Sequence, residues 1–384
     1  VSMSTDDETI EIAYGEPAMD RRDFLKTSGA FAAASLIGLK AGAAAAPEKP
    51  SMSFSRYRGF NLLEKFGEWG PRAKFKEEDF EIMAEWGFDF ARIPMSYWRW
   101  ASKDNWFKID EEVIKDIDEV VELGKKYKIH INLNLHRIPG YCINRRDMEP
   151  VDLYEGTPEN MQKALDGATF HWKMFAKRYK GIPNSQLSFD LINEPPGTKD
   201  ETPHIRVVTA LVKAIREEDP TRLIVSDGKD AGNTPIFGLA DLGVVQSARG
   251  YTPMTVTHYQ ADWVRQGGLE SSKVPTWPLK ANDGKIWDKA ALKERLIDRW
   301  MPLVKMGVPV HVGEWGCYNK TPHDVVLAWM KDVLSLWKEV GWGHALWNLR
   351  GDFGVLNSTR TDVQYEDYKG HKLDRKMLEL IKQY

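Results

Sequence analysis

The chain has 384 residues, 42% of them apolar and 28% charged, and a formal net charge of −3. That is the composition of a globular protein with no basic field to hold a nucleic acid. Two cysteines, Cys142 and Cys317, exclude a disulfide-rich scaffold and a four-cysteine metal site. Any one of the fifteen tryptophans reads as core packing, but so many together favour a surface that stacks flat apolar faces such as sugar rings.

Residues 1–46 read as an N-terminal extension followed by an export signal. An acidic, aperiodic stretch gives way to Met19-Asp20-Arg21-Arg22-Asp23-Phe24-Leu25-Lys26. Paired arginines before Phe-Leu-Lys resemble a twin-arginine signal. The weakly apolar run Thr27–Leu39 then serves as the h-region, and Ala43-Ala44-Ala45 as the cleavage site. The apolar run falls short of the roughly 20 residues that span a bilayer, so stable membrane insertion is not expected. The chain is expected to be exported to the periplasm or the medium. The two cysteines are expected to be free, because they follow strands on opposite sides of the architecture described next.

Residues 54–384 show no linker, charge block or low-complexity stretch and read as one domain. Short apolar runs recur in chain order: Arg58–Leu62, Phe88–Met95, Ile129–His136, Leu187–Glu194, Arg222–Asp227, Thr255–Tyr259, Val308–Glu314 and His344–Leu349. Their near-continuous apolar content suits strands buried on both faces. Between them lie amphipathic helical patterns over Asp110–Tyr127, Thr157–Tyr179, Pro203–Glu218, Lys289–Met306 and Pro322–Val340, with Leu373–Ile381 at the end. Asp110 and Thr157-Pro158 supply start signals. Eight strands alternating with helices predict parallel βαβ units and an α/β fold, a closed (β/α)8 TIM barrel. The rival is an open doubly wound sheet. That would normally carry a Gly-rich phosphate turn after its first strand, and Gly59-Phe60-Asn61 is not one.

In such a barrel, chemistry sits at the C-terminal ends of the strands. The runs end in Arg92, His136, Asn193-Glu194-Pro195, His258-Tyr259, Glu314-Trp315 and Trp347, whereas Asn61 and Asp227 are less telling. A carboxylate closing a buried strand is costly unless it pairs, binds metal or catalyses. Glu194 and Glu314 both do this, on strands three apart around the mouth, within reach of the spacing that glycoside hydrolysis with retention needs. No H-E-x-x-H, G-x-S-x-G or P-loop motif occurs. No metal or cofactor is therefore expected.

Together, Asn193-Glu194-Pro195, Gly313-Glu314-Trp315-Gly316, Arg92, His136, His258, Tyr259 and Trp347 resemble glycoside hydrolase family 5 from about Arg58 to the C-terminus. The resemblance implies Glu194 as acid/base and Glu314 as nucleophile. It implies Asn193 on the substrate 2-hydroxyl, and Arg92 and Tyr259 holding the nucleophile. His136 and His258 would lie around the −1 sugar and the acid/base, and Trp347 beneath that sugar. All these positions follow the family pattern in order.

Trp98, Trp100, Trp263 and Tyr318 follow strand ends and are candidates for distal sugar subsites. Their spread suggests a β-1,4-linked polysaccharide or oligosaccharide as the partner of a monomeric enzyme. Mannan or glucomannan is slightly favoured over β-glucan. The alternatives are an endo-β-1,4-glucanase with the same mechanism and a non-catalytic glycan-binding barrel.

Overall fold

The computed structural model describes residues 50, 52–67, 73–265 and 273–384. The leader predicted over residues 1–46 lies outside the described residues. Eight parallel strands form the barrel: β1 Arg58–Asn61, β2 Phe90–Ser96, β3 His130–Ile138, β4 Leu187–Asp190, β5 Ile224–Asp227, β6 Val245–Gly250, β7 Val310–Trp315 and β8 His344–Leu346. Each pairs with the next, and Arg58 pairs with His344 to close the ring. All residues of β2 to β7 are buried, as expected where side chains fill the barrel on one face and meet helices on the other. Gly59 is dictated by close approach. A Cβ there would stand 1.7 Å from the Phe90 carbonyl oxygen on β2.

The surrounding helices include α1 Glu77–Trp86, α2 Glu111–Tyr127, α3 Pro158–Arg178, α4 Thr202–Glu218, α5 Lys289–Lys293, α6 His323–Val340 and α7 Arg375–Gln383. The start signals act as expected. The Asp110 side chain accepts the Glu112 N–H, and Thr157 accepts that of Asn160 ahead of Pro158. The pattern predicted over Lys289–Met306 is not one helix. After α5 come a π turn at Glu294–Asp298 and a short helix at Met301–Lys305. Pro302 has no N–H to give to the Asp298 carbonyl, so the regular ladder cannot run through. At the other end of the barrel, the 3-10 turn Met52–Arg56 plugs the base. Its Phe54 ring lies 6.0 Å from Phe90, 5.4 Å from His130 and 5.6 Å from His311.

Two strand predictions need correction. The sixth strand is Val245–Gly250, not Thr255–Tyr259; the latter stretch is a helical turn, Met254–Thr257, and the residues after it. The β-branched Thr255-Val256-Thr257 suggested extended chain. Locally, however, the Val256 N–H bonds back to Pro253 and the Thr257 hydroxyl to the Tyr251 carbonyl, which favours a turn. The true strand was hidden by its polar residues. Gln246 satisfies both backbone groups of Ile236, and Ser247 accepts from Arg249. The fourth strand stops at Asp190 rather than Glu194, because the chain then turns to place Glu194 at φ +48°. Among the described residues no helix is long and apolar enough to cross a membrane. Cys142 and Cys317 are buried free thiols.

Candidate active site

Two buried arginines organise the mouth of the barrel. Arg92 enters from β2. Its Nε donates to Asp190 at 2.7 Å, its Nη1 to Asn61 at 3.1 Å and to Glu314 Oε1 at 2.5 Å, and its Nη2 to Asn193 at 3.0 Å. Arg249 enters from β6. Its Nε donates to Glu194 Oε1 at 3.0 Å, and its Nη2 to Asn193 at 2.9 Å and Glu314 Oε1 at 3.3 Å. Its Nη1 reaches Ser247 and Asp227 Oδ1, at 3.1 and 3.0 Å, and its Nη2 also bonds Asp227 Oδ2. Gly313 leaves room for this guanidinium, since a Cβ there would stand 3.0 Å from Arg249 Nη1 and 2.5 Å from Ser247 Oγ. One guanidinium thus bridges Glu194 and Glu314. The two contacts plus its own width keep the bonded oxygens within about 9 Å of each other, an upper bound that admits both the retaining and the inverting separation of glycosidase carboxylates.

Glu194 occupies a backbone conformation that L-residues rarely adopt, and two bonds hold it there. Its N–H donates to Asp227 Oδ2 at 2.8 Å, and its carbonyl accepts the Tyr141 hydroxyl at 2.6 Å. Strain held by such contacts is characteristic of functional positions. The Glu194 side chain is 17% exposed and that of Glu314 is 4% exposed, so the former faces the opening.

The charge balance decides protonation. Four carboxylates (Asp190, Glu194, Asp227 and Glu314) surround two guanidinium groups. Burial, and then the neighbouring Glu314 charge, push Glu194 up to about 7, with Arg249 opposing. Arg249 is held charged: burial works against the cation, but Asp227, Glu314 and Glu194 outweigh it and raise it well above its usual value. Glu314 accepts from Arg92, from Arg249, and from the Tyr251 hydroxyl on Oε2 at 3.2 Å.

The remaining predicted residues divide. Asn193 lies between both arginines, and its Nδ2 is 3.3 Å from His136 Nε2. His136 is neutral, since burial and then Arg137 hold it well below its ordinary value. Trp347 is half-buried, its ring 5.7 Å from His136 and 5.3 Å from Phe66. His258 and Tyr259 do not end the sixth strand. His258 stacks edge-on to Tyr251 at 5.0 Å and to Phe353 at 5.7 Å, while the Tyr259 hydroxyl accepts from Gln260. The tyrosine on Glu314 is Tyr251, because the strand ends nine residues earlier than its apolar imitation in Thr255–Tyr259 suggested. Trp100 is 1% exposed and bonds His171, so it cannot present a face to sugar. Trp263 is 53% exposed and meets Tyr318 edge-on at 4.8 Å. Trp98 is half-buried, its N–H on Glu149 and the Lys103 ammonium 4.0 Å above its ring.

Sequence reasoning missed Arg249, Tyr251, Asp227, Asp190 and Asn61. Asp227 carried a usable signal, since it too is a carboxylate that closes a buried apolar run.

Comparison with known proteins agrees with the closed barrel. The cellulase model of glycosyl hydrolase family 5 matches residues 46–352. Endoglucanase C of Acetivibrio thermocellus is 28% identical, over 76% of this chain and 88% of that protein. Cellodextrinase A of Ruminococcus flavefaciens is 25% identical, over 69% and 76% respectively. A crystal structure of a glycoside hydrolase superposes with a TM-score of 0.80 at 41% identity, covering 85% of this chain and 99% of that one. Residues 18–38 match the twin-arginine translocation signal, which marks the chain for export. With the barrel closed, polar groups gathered at its mouth and the family model spanning most of its length, the chain belongs to glycoside hydrolase family 5.

Proposed function

We propose that the protein is an endo-acting, retaining β-1,4-glycanase, with Glu194 as acid/base and Glu314 as nucleophile. The observation that carries this reading is the pair of carboxylates bridged by Arg249, with Asn193 bonded to the same guanidinium. Their environments differ in the direction double displacement needs: Glu194 keeps a proton near neutrality, and Glu314 is surrounded by donors. In the first step Glu314 attacks the anomeric carbon while Glu194 gives its proton to the departing oxygen. In the second, Glu194 takes a proton from water as that water's oxygen displaces the Glu314 ester.

The preferred chain in this reading is β-1,4-glucan. The residues alone tilt slightly to mannan, but the curated relatives that span most of the chain include an endoglucanase and a cellodextrinase. Purified enzyme is expected to show its highest kcat/KM on carboxymethyl-cellulose or barley β-glucan, with viscosity falling faster than reducing ends appear. A preference of tenfold or more for mannan would overturn the glucan assignment and leave the mechanism standing.

The pH profile follows from the protonation argument. Glu194 is held up to about 7 by burial and by Glu314. The protonated acid is therefore the major form below that pH and is lost above it. The kcat/KM of the wild type is expected to decline as pH rises through about 7. In Glu314→Gln the raising charge is gone, so a ¹³C-NMR titration of Glu194 is expected to move down toward the ordinary carboxylate range. A titration that stayed in place would show that Glu314 is not the neighbour that matters.

A further inference from the structure

The group found beside the acid/base is a guanidinium, where the sequence pointed to the imidazole of His258. The two differ in kind. Buried imidazoles here lose their proton: burial brings His258 down to about 4 and holds His136 well below its ordinary value. A guanidinium keeps its charge at any working pH. Arg249 is also fixed in place, with Asp227, Ser247, the Ala248 carbonyl and Asn193 all accepting from its terminal nitrogens. That leaves Nε on Glu194 and one edge of Nη2 on Glu314. Glu314 has a second cation, Arg92 at 2.5 Å, and a phenol, Tyr251. The cation bonded to Glu194 is Arg249.

Resting on the double-displacement reading, we propose that Arg249 is a positioning residue whose fixed charge is shared by both carboxylates in the free enzyme and passes to Glu194 in the glycosyl-enzyme, so that it speeds the second chemical step more than the first. The charge on the two carboxylates changes sides between the steps. In the first step an electron pair of Glu314 forms a bond to the anomeric carbon, the bond from that carbon to the leaving oxygen breaks, and the leaving oxygen takes the Glu194 proton. Glu314 becomes a neutral ester and Glu194 an anion. Without moving, Arg249 loses most of one partner and gains a full charge on the other, through the bond its Nε already makes. In the second step a water oxygen bonds to the anomeric carbon, its proton goes to Glu194, and the electrons of the ester bond return to Glu314. The charge under Arg249 is then shared once more. The positive charge beside Glu194 keeps the base ionised and aimed while water arrives.

Stopped-flow kinetics with 2,4-dinitrophenyl β-cellobioside separates the steps, because dinitrophenolate departs without needing a proton. Arg249→Met, Arg249→Lys and Arg249→His are compared with wild type, with circular dichroism and thermal melting as checks on folding. In Arg249→Met the second step is expected to fall on the order of 10²-fold and the first by much less, giving a burst of about one dinitrophenolate per active site. Arg249→Lys keeps the charge and is expected to recover a large part of the second step. In Arg249→His the second step is expected to fall toward the Arg249→Met level, since buried imidazoles here carry no proton at working pH. Equal loss in both steps in folded Arg249→Met, or no recovery of the second step in Arg249→Lys relative to the uncharged variants, would overturn the proposal. If Arg249→Met does not fold, the comparison of Arg249→Lys with Arg249→His decides alone. Failure of the double-displacement reading looks different: wild type would then accumulate no glycosyl ester with a slow 2-fluoro substrate, whatever the Arg249 variants do.

Discussion

Glu314→Gln is expected to keep the barrel folded and to lower kcat on soluble cellulose by about 10⁵-fold, or roughly 7 kcal/mol of barrier. The amide preserves the shape: its oxygen can still accept from Arg92 and Arg249, and its NH2 can donate to the Tyr251 oxygen where the carboxylate accepted. It cannot supply an electron pair to an anomeric carbon at a useful rate, and no neighbouring carboxylate is placed to substitute. Asp227 and Asp190 are each tied to a guanidinium and are almost fully buried. A second readout separates lost chemistry from lost structure. With Glu314→Ala and an activated aryl cellobioside, added azide is expected to restore turnover and give the α-glycosyl azide, because the anion enters from the face the nucleophile vacated. Rescue giving the β-anomer would reassign the residue.

Glu194→Gln is expected to split by leaving group. On polysaccharide, where the departing alkoxide needs a proton, the rate is expected to fall by about 10³-fold. On 2,4-dinitrophenyl β-cellobioside the first step is expected to stay within about tenfold of wild type, since that leaving group departs unassisted. The second step remains slow on both substrates for want of a base. With Glu194→Ala, azide is expected to yield the β-glycosyl azide by attacking the intermediate. A uniform loss on all substrates would mean that Glu194 positions the sugar rather than moving a proton.

The barrel was legible in the sequence because most of its strands are buried on both faces and so read as apolar runs. The rule failed where the interior is polar. Val245–Gly250 buries Gln246, Ser247 and Arg249: Gln246 is satisfied by the Ile236 backbone, Ser247 by Arg249, and Arg249 by Glu194 on another part of the ring, and no local pattern encodes that. Thr255–Tyr259 imitated a strand by its β-branched residues, and taking it for one moved the expected tyrosine from Tyr251 to Tyr259. The short helix α1 escaped notice because it is ten residues long and is stopped by Gly87 in the left-handed region. Within the site, Glu194, Glu314, Arg92 and Asn193 could be found because each follows an apolar run. Trp100 misled because an indole after a strand end looks the same in sequence whether its face is open or packed on His171 and Phe175. The arginine bridge could not be read from spacing. It depends on β2 and β6 both presenting cations to Glu314, and on the β6 cation also reaching Glu194, which is a property of the closed ring.

Incubating the wild-type enzyme with 2,4-dinitrophenyl 2-deoxy-2-fluoro-β-cellobioside, followed by peptide mass spectrometry, tests the central claim most directly. The fluorine slows both steps and the activated leaving group restores the first, so the intermediate is expected to accumulate as one fluorocellobiosyl adduct on the peptide carrying Glu314. An adduct on another residue, or inactivation-free turnover to a product of inverted configuration, would contradict it.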